Sequence, residues 1–219
     1  MGALFLLDQI SLVDRYMLSK GTWEPDQIEQ LTQLVEHFRR PQEWPQFLDI
    51  GAHGALYSIL MVKRELVDQV WAFEPDPTNR AQLHANLFLN GLVDRIRVVD
   101  KAAGNQKGTI SFFVAGDRNR GASGRTESKA SKGRIDVEAD TIDAMVGLKD
   151  AFVVAKIDVE GAELAVLEGM EKTIANNRCL FQIESFIDNF STIQSWLVKR
   201  GFQYQNTIES DHYFYKKSI

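Results

Sequence analysis

The sequence predicts an α/β protein: a mostly parallel sheet with helices on both faces, finished by an antiparallel hairpin. Three observations carry this. Short β-rich runs alternate with helical patterns along most of the chain, and such βαβ units demand a parallel sheet covered on both sides. The first run ends at a glycine turn that opens a helix, the edge at which open α/β sheets bind ligands. The last two runs are separated only by Ile208 to His212, too short a link for a crossover, so they must pair antiparallel.

Each element has its own signal. Pro25 and Asp26 suit a first helical turn, and Ile28, Leu31, Leu34, Val35 and Phe38 recur at helical spacing until Pro41 and Pro45 end the pattern. Residues 1–45 therefore read as a helical N-terminal segment ahead of a core at 46–219. Phe47-Leu48-Asp49-Ile50 is the first strand, residues 56–66 a helix, and Gln69-Val70-Trp71-Ala72-Phe73 the second strand. Pro77 opens a helix carrying Leu83, Leu87 and Leu89, which Asn90-Gly91 closes. Residues 95–99 form the third strand. An insertion at 109–137 then breaks the alternation, with strands at 109–114 and 134–137 around a polar stretch. Residues 153–157 are the fourth strand, followed by a helix through Leu164, Leu167 and Met170. Residues 180–183 are the fifth, followed by a helix through Ile193, Trp196 and Leu197. Residues 202–207 and 213–216 make the hairpin.

Composition bounds the function. The chain has 219 residues, 44% of them apolar, enough for one sizeable core and one domain. Its net charge of −5 gives no global reason to bind nucleic acid or an anionic membrane. The single cysteine, Cys179, rules out an intrachain disulfide framework and belongs in an apolar strand. The first apolar run stops at Asp8 and lacks a basic region before it, Leu6 stands where acylation needs Ser or Thr, and no stretch is long enough to span a bilayer. A cytoplasmic protein is the expectation.

Three segments carry chemistry. In Asp49-Ile50-Gly51-Ala52-His53-Gly54-Ala55, Gly51 and Ala52 leave room for a ligand against the backbone. The spacing lacks the G-x-G-x-x-G of a dinucleotide site, and a carboxylate at Asp49 repels a pyrophosphate while pairing with an ammonium. Read alone, the segment serves equally as a capped strand-to-helix turn. Phe73-Glu74-Pro75 places an acid at the end of the second strand, where it can accept both ribose hydroxyls. An ammonium at one strand end and a ribose at the next describe S-adenosylmethionine. Lys156-Ile157-Asp158-Val159-Glu160-Gly161-Ala162-Glu163 leaves the fourth strand with Asp158 and Glu160 on alternate positions, which an extended backbone points the same way. Both also suit the start of the following helix, Asp158 as its cap.

These residues, with Ala72-Phe73-Glu74-Pro75, Asn90 and Thr141-Ile142-Asp143, resemble the FkbM family of S-adenosylmethionine-dependent methyltransferases from about residue 47 to 187. The resemblance implies the class I Rossmann-like fold, seven strands with an antiparallel last strand. It also implies methyl transfer, usually to a hydroxyl of a sugar, polyketide or related metabolite. The chain departs from the family's Asp-x-Gly-Ala-Asn-x-Gly at His53 and Ala55.

Asp49, Gly51, Ala52, His53, Glu74, Pro75, Asp158, and Asp100 and Lys101 after the third strand are the expected cofactor contacts. Asp158, mainly on the cofactor side, and Glu160, on the acceptor side, are the expected catalytic pair. No metal is expected, since no histidines have ligand spacing and nothing indicates a cation between Asp158 and Glu184. The glycine-containing stretch 116–134 carries Arg118, Arg120, Arg125, Lys129, Lys132 and Arg134. It reads as a solvated loop or as a lid recruiting an anionic acceptor. The expected partner is a small-molecule or glycan acceptor. N-methylation and a non-catalytic cofactor-binding role are the alternatives, and the missing glycines disfavour a nicotinamide reductase.

Overall fold

The structure, a computed structural model, describes residues 2–115, 131–185 and 187–217. An extended segment leads into α1 (Leu12–Lys20) and α2 (Pro25–Phe38). Then come β1 (Gln46–Ile50), α3 (Leu56–Lys63), β2 (Gln69–Phe73), α4 (Pro77–Asn90) and β3 (Ile96–Val99). A three-stranded side sheet follows, made of β4 (Ala102–Ala103), β5 (Gly108–Ala115) and β6 (Ser131–Asp140) in the order β4-β6-β5. The chain returns to the main sheet through α5 (Ile142–Met145), β7 (Phe152–Ile157), α6 (Glu163–Glu168), α7 (Glu171–Asn176) and β8 (Arg178–Glu184). It ends with α8 (Ile187–Val198), β9 (Gln203–Ile208) and β10 (Asp211–Lys216).

The main sheet has seven strands in the order β3-β2-β1-β7-β8-β10-β9. All neighbours are parallel except β10, which is antiparallel to both β8 and β9. The fold class read from the sequence is the one observed. The chain passes from β1 to β2 on one side and reaches β7 on the other, so the order reverses between β1 and β7. Ligands of open α/β sheets bind outside the carboxyl ends of the strands at such a reversal.

The strands alternate between two cores. Phe47, Val70, Val154 and Leu180 pack with Ile28, Leu31, Ile59 and Leu83 of α2, α3 and α4. Leu48, Trp71, Val153 and Phe181 pack on the opposite face with Val166, Ile174 and Leu197 of α6, α7 and α8. Toward the carboxyl ends, the first face changes character. Asp49, Lys156, Gln182 and Tyr213 are successive register partners across β1, β7, β8 and β10, a polar rung at the end of an otherwise apolar face. Glu184 and Asp211 pair one step further on.

Two local expectations need correction. The N-terminal segment is not helical throughout: residues 2–7 run extended along α4. Asn90 accepts from Leu4 N on Oδ1 (3.0 Å) and donates from Nδ2 to Leu4 O (2.7 Å), while Leu6 N donates to Asn86 Oδ1 (2.7 Å) and Leu6 O accepts from Gln82 Nε2 (2.8 Å). Residues four apart share one helix face, so three amides stand in a row and satisfy the strap's backbone as a neighbouring strand would. The single helix expected through Met170 is two, α6 and α7. Gly169 lies between them against Gly104, whose carbonyl oxygen would be 2.0 Å from any Cβ added there.

Gly51 explains the narrow junction of β1 and β7. Its φ is +90°, and a Cβ at that position would sit 1.8 Å from the backbone oxygen of Asp158. The requirement comes from the protein's own backbone rather than from a ligand. Gly91, which caps α4 at φ +65°, has nothing within 4 Å. Gly91→Ala should therefore cost only the left-handed penalty, about 1–2 kcal/mol. Gly51→Ala should add overpacking against backbone and cost on the order of 3–5 kcal/mol. Urea unfolding of the two variants checks this; equal losses would mean the β1–β7 junction is not the tight point.

Candidate active site

Two carboxylates organise the turn after β1. Asp49, buried at the end of the strand, accepts from Ser58 N (3.0 Å) and Ser58 Oγ (2.6 Å) and so anchors the first turn of α3. Burial raises its carboxyl above the usual range, against the attraction of Lys156 and the Ser58 bonds. Gly51 N and Ala52 N both donate to Phe73 O at 3.0 Å, tying the turn to the end of β2. His53 and Ala55 adopt left-handed backbone, φ 47° and 65°. Ala55 is thus where the family pattern's glycine would be unstrained, and the alanine is accommodated at about 1–2 kcal/mol.

Glu74 is the second carboxylate. It is 4% exposed at the end of β2, accepting His53 N on Oε2 (2.8 Å) and Asp76 N on Oε1 (2.8 Å). Burial pushes its pKa up to about 8 even so, with Asp76 adding repulsion. Asp76 in turn caps α4 through Thr78 N (2.8 Å).

A cavity runs along the carboxyl ends of β1, β2 and β7. Asp49, Gly51, Ala52, His53, Glu74, Pro75, Lys101 and Asp158 all line it. Of the expected cofactor contacts, Asp100 alone stands outside: it is exposed and absent from the cavity wall. Lys101 holds Glu138 of β6 at 3.0 Å. Phe5 and Leu7 of the strap, Val13 and Met17 of α1, and Trp23 between α1 and α2 also line the cavity, which the sequence reading missed. Gln82, also in the wall and buried, uses its Nε2 on Leu6 O and Asp14 Oδ2, leaving Oε1 without a partner among the described residues.

The third carboxylate group surrounds a buried lysine. Lys156, 4% exposed, donates to Asp158 Oδ2 at 2.7 Å and lies 4.8 Å over the ring of Tyr57. Burial alone would lower its pKa; Asp158, then Glu24, Tyr57 and Asp211, hold it well above the ordinary lysine value. Tyr57 donates to Glu24 Oε2 (2.7 Å) and accepts from Gln182 Nε2 (2.9 Å), which also donates to Asp211 Oδ1 (2.7 Å). One ligand oxygen each from Glu24, Glu184 and Asp211 lies within 4.8 Å of the other two, so a cation could be held there.

The expected catalytic pair departs from its predicted geometry. β7 ends at Ile157, and Glu160 is left-handed at φ 50°, so Asp158 and Glu160 do not share an extended strand. Asp158 does not cap the helix either, because α6 begins at Glu163 and its N-cap is Ala162, which makes no side-chain bond. Both residues instead line a smaller cavity with Gly161, Glu163, Glu184 and Asn189, and Asp158 alone faces both cavities. Glu160 is raised to about 7 by burial and then by Asp158; Glu184 is raised to about 8 by the same two causes. The basic stretch proposed as a lid lies outside the described residues from 116 to 130. Cys179 is buried, as expected, and burial pushes its thiol up to about 12.

Among the described residues, no helix is long and apolar enough to cross a membrane. The methyltransferase FkbM domain matches residues 49–204. The chain is 26% identical over 166 residues to the 2-O-methyltransferase NoeI of Sinorhizobium fredii (strain NBRC 101917 / NGR234), covering 68% of this chain and 66% of that protein. It is 26% identical over 158 residues to the methyltransferase sdnD of Sordaria araneosa, covering 58% and 61%. The match thus spans less than two thirds of either relative's length. Among solved structures, the methyltransferase FkbM from Methylobacillus flagellatus KT aligns with a TM-score of 0.55 at 16% identity, covering 93% of this chain and 52% of that one. Precorrin-6y C5,15-methyltransferase from Geobacter metallireducens GS-15 aligns at 0.53 and 11%, covering 96% and 91%. At these identities the structures share the fold alone. The sequence match over most of the chain shows more: this protein belongs to the FkbM family of methyltransferases.

Proposed function

We propose that the protein transfers a methyl group from S-adenosylmethionine to a hydroxyl oxygen of a small metabolite or glycan. The observation that carries this reading is a single cavity running from Glu74 past Asp49 to Asp158, with a carboxylate at each of three successive stations. The residues fit the cofactor. Glu74 keeps lone pairs for ribose hydroxyls beyond its two backbone bonds. Gln82 Oε1 is a buried acceptor awaiting a donor. Asp49 and Asp158 supply negative charge for an ammonium and a sulfonium.

When bound, S-adenosylmethionine supplies a methyl on a positively charged sulfur. The acceptor oxygen forms its C–O bond to that methyl as the C–S bond breaks. The C–S electron pair stays on sulfur, giving a neutral thioether, and the hydroxyl proton passes to a carboxylate. Glu160 suits that task, because its pKa near 7 leaves a substantial ionised fraction at neutral pH. Asp158, committed to Lys156, suits the cofactor side. Holding oxygen and methyl in near-attack geometry is the main acceleration, and a base adds about 10²–10⁴-fold. The likeness to NoeI, a 2-O-methyltransferase, supports oxygen as the acceptor atom.

Two measurements test the reading. Glu74→Ala should weaken S-adenosylmethionine binding by on the order of 1.5–3 kcal/mol, the worth of a bond to a charged group. It should also lower the melting temperature, since His53 N and Asp76 N lose their acceptor. Unchanged cofactor affinity by calorimetry would put the ribose elsewhere. Asp158→Asn and Glu160→Gln remove charge while keeping shape. Single-turnover rates at saturating cofactor and acceptor should drop by about 10²-fold or more in at least one of them. Wild-type turnover in both would remove these residues from the chemistry, whatever their stability.

A further inference from the structure

The strap is tied to the molecule through side chains. Its residues alternate as extended backbone does: Phe5 and Leu7 line the larger cavity, while Leu4 and Leu6 are exposed. The N–H groups of Leu4, Leu6 and Asp8 donate to side-chain oxygens of Asn90, Asn86 and Asp14 in turn. Val13 and Met17 of α1 line the same cavity. A ligand filling it therefore meets the N-terminal segment as well as the sheet.

Gln82 joins that segment to the cavity. It is 8% exposed and lines the cavity from α4, with its amide carbon and nitrogen 3.9 Å from where a Cβ on Gly54 would stand. Its Nε2 donates to Leu6 O of the strap and to Asp14 Oδ2 of α1, both at 2.8 Å, which uses both N–H bonds. These two acceptors fix which way the amide faces, because a flip would set Oε1 against two other oxygens. Oε1 itself has no hydrogen-bond partner among the described residues. A buried acceptor in a cavity wall, held in one orientation, selects a ligand that brings an N–H or O–H to it.

We propose that Gln82 binds a donor group of S-adenosylmethionine and passes that contact to the N-terminal segment, so that the strap closes over an occupied site and opens more readily from an empty one. This rests on the methyl-transfer reading and adds to it a binding residue and a wall that responds to it. A donor on Oε1 polarises the amide and strengthens both of its N–H bonds, to Leu6 O and to Asp14 Oδ2. Linkage requires the converse: a strap held closed by cofactor raises the affinity for cofactor by the same factor. Phe5 and Leu7 then screen the occupied site from solvent.

The N–H groups of Leu4, Leu6 and Asp8 report closure directly. Their exchange with deuterium is followed in the full chain against added S-adenosylhomocysteine, which carries the cofactor's donors and is not turned over, and calorimetry gives its Kd. If the ligand is held only under a closed strap, exchange through strap opening slows by a factor of 1 + [L]/Kd, about a hundredfold at a hundred times Kd. Gln82→Lys keeps donors for Leu6 O and Asp14 but removes the acceptor, whereas Gln82→Met removes both. Kd should weaken about tenfold in each, the equivalent of one hydrogen bond. In the ligand-free protein, exchange should quicken in Gln82→Met but not in Gln82→Lys. A glutamine that only braced the strap would leave Kd unchanged in Gln82→Lys. Melting curves show which variants are folded; either one suffices, and the wild-type exchange series stands if neither is. Binding that leaves exchange at all three amides unchanged, or wild-type Kd in every folded variant, would overturn the proposal and spare the methyl-transfer reading. No binding of S-adenosylhomocysteine or S-adenosylmethionine to the wild-type protein would overturn both.

Discussion

The site depends on one buried ion pair. Lys156, next to last in β7, bonds Asp158 and lies over the Tyr57 ring. Removing an ammonium from water is costly unless paired, so the lysine requires the acids around it. The reverse also holds: Asp49, Asp158 and Asp211 crowd one sheet edge because a cation sits between them. Burial still raises Asp49, Asp211 and Glu184, so one lysine does not neutralise the group. In the methyl-transfer reading, the sulfonium of the cofactor would supply further positive charge.

The same centre joins parts of the chain far apart in sequence. Glu24, ahead of α2, receives the Tyr57 hydroxyl and the Trp23 indole N–H, both at 2.7 Å. Asn86 donates to Gly54 O (2.8 Å) and accepts from Leu6 N, so one amide links the strap to the turn after β1. The strap, α1 and the residues just after it precede the family match at residue 49, yet Phe5, Leu7, Val13, Met17, Trp23 and Glu24 line the larger cavity.

Much of this was legible because parallel central strands should be continuously apolar. Asp49, Glu74 and Asp158 stood at strand ends next to glycine, proline or a helix start, positions that announce a ligand edge. Lys156 lay within the family octet, but its pairing with Asp158 depends on where β7 stops, and spacing could not give that. Gln182 and Glu184 carried a signal that went unused: two polar residues on alternate positions of a buried strand. Tyr57 and Glu24 were illegible because neither the Tyr57 contact across α3 nor the left-handed backbone at Glu24 has a local pattern. The strap's partners, Gln82, Asn86 and Asn90, were visible as polar residues at four-residue spacing. Nothing in that spacing said that an extended segment, rather than solvent, would meet them.

The central claim, that under-neutralised carboxylates around Lys156 await a cationic ligand, has a direct calorimetric consequence. Glu74 is raised to about 8 and Glu160 to about 7, so near pH 7.5 each holds a proton part of the time. A bound sulfonium favours the ionised forms and expels those protons. Titrating the ligand-free protein at pH 7.5 in buffers of different ionisation enthalpy counts them. S-adenosylmethionine should release protons and bind more tightly as pH rises through about 7 to 8, while neutral-sulfur S-adenosylhomocysteine should release fewer. Proton uptake, or equal release with both ligands, would contradict the account.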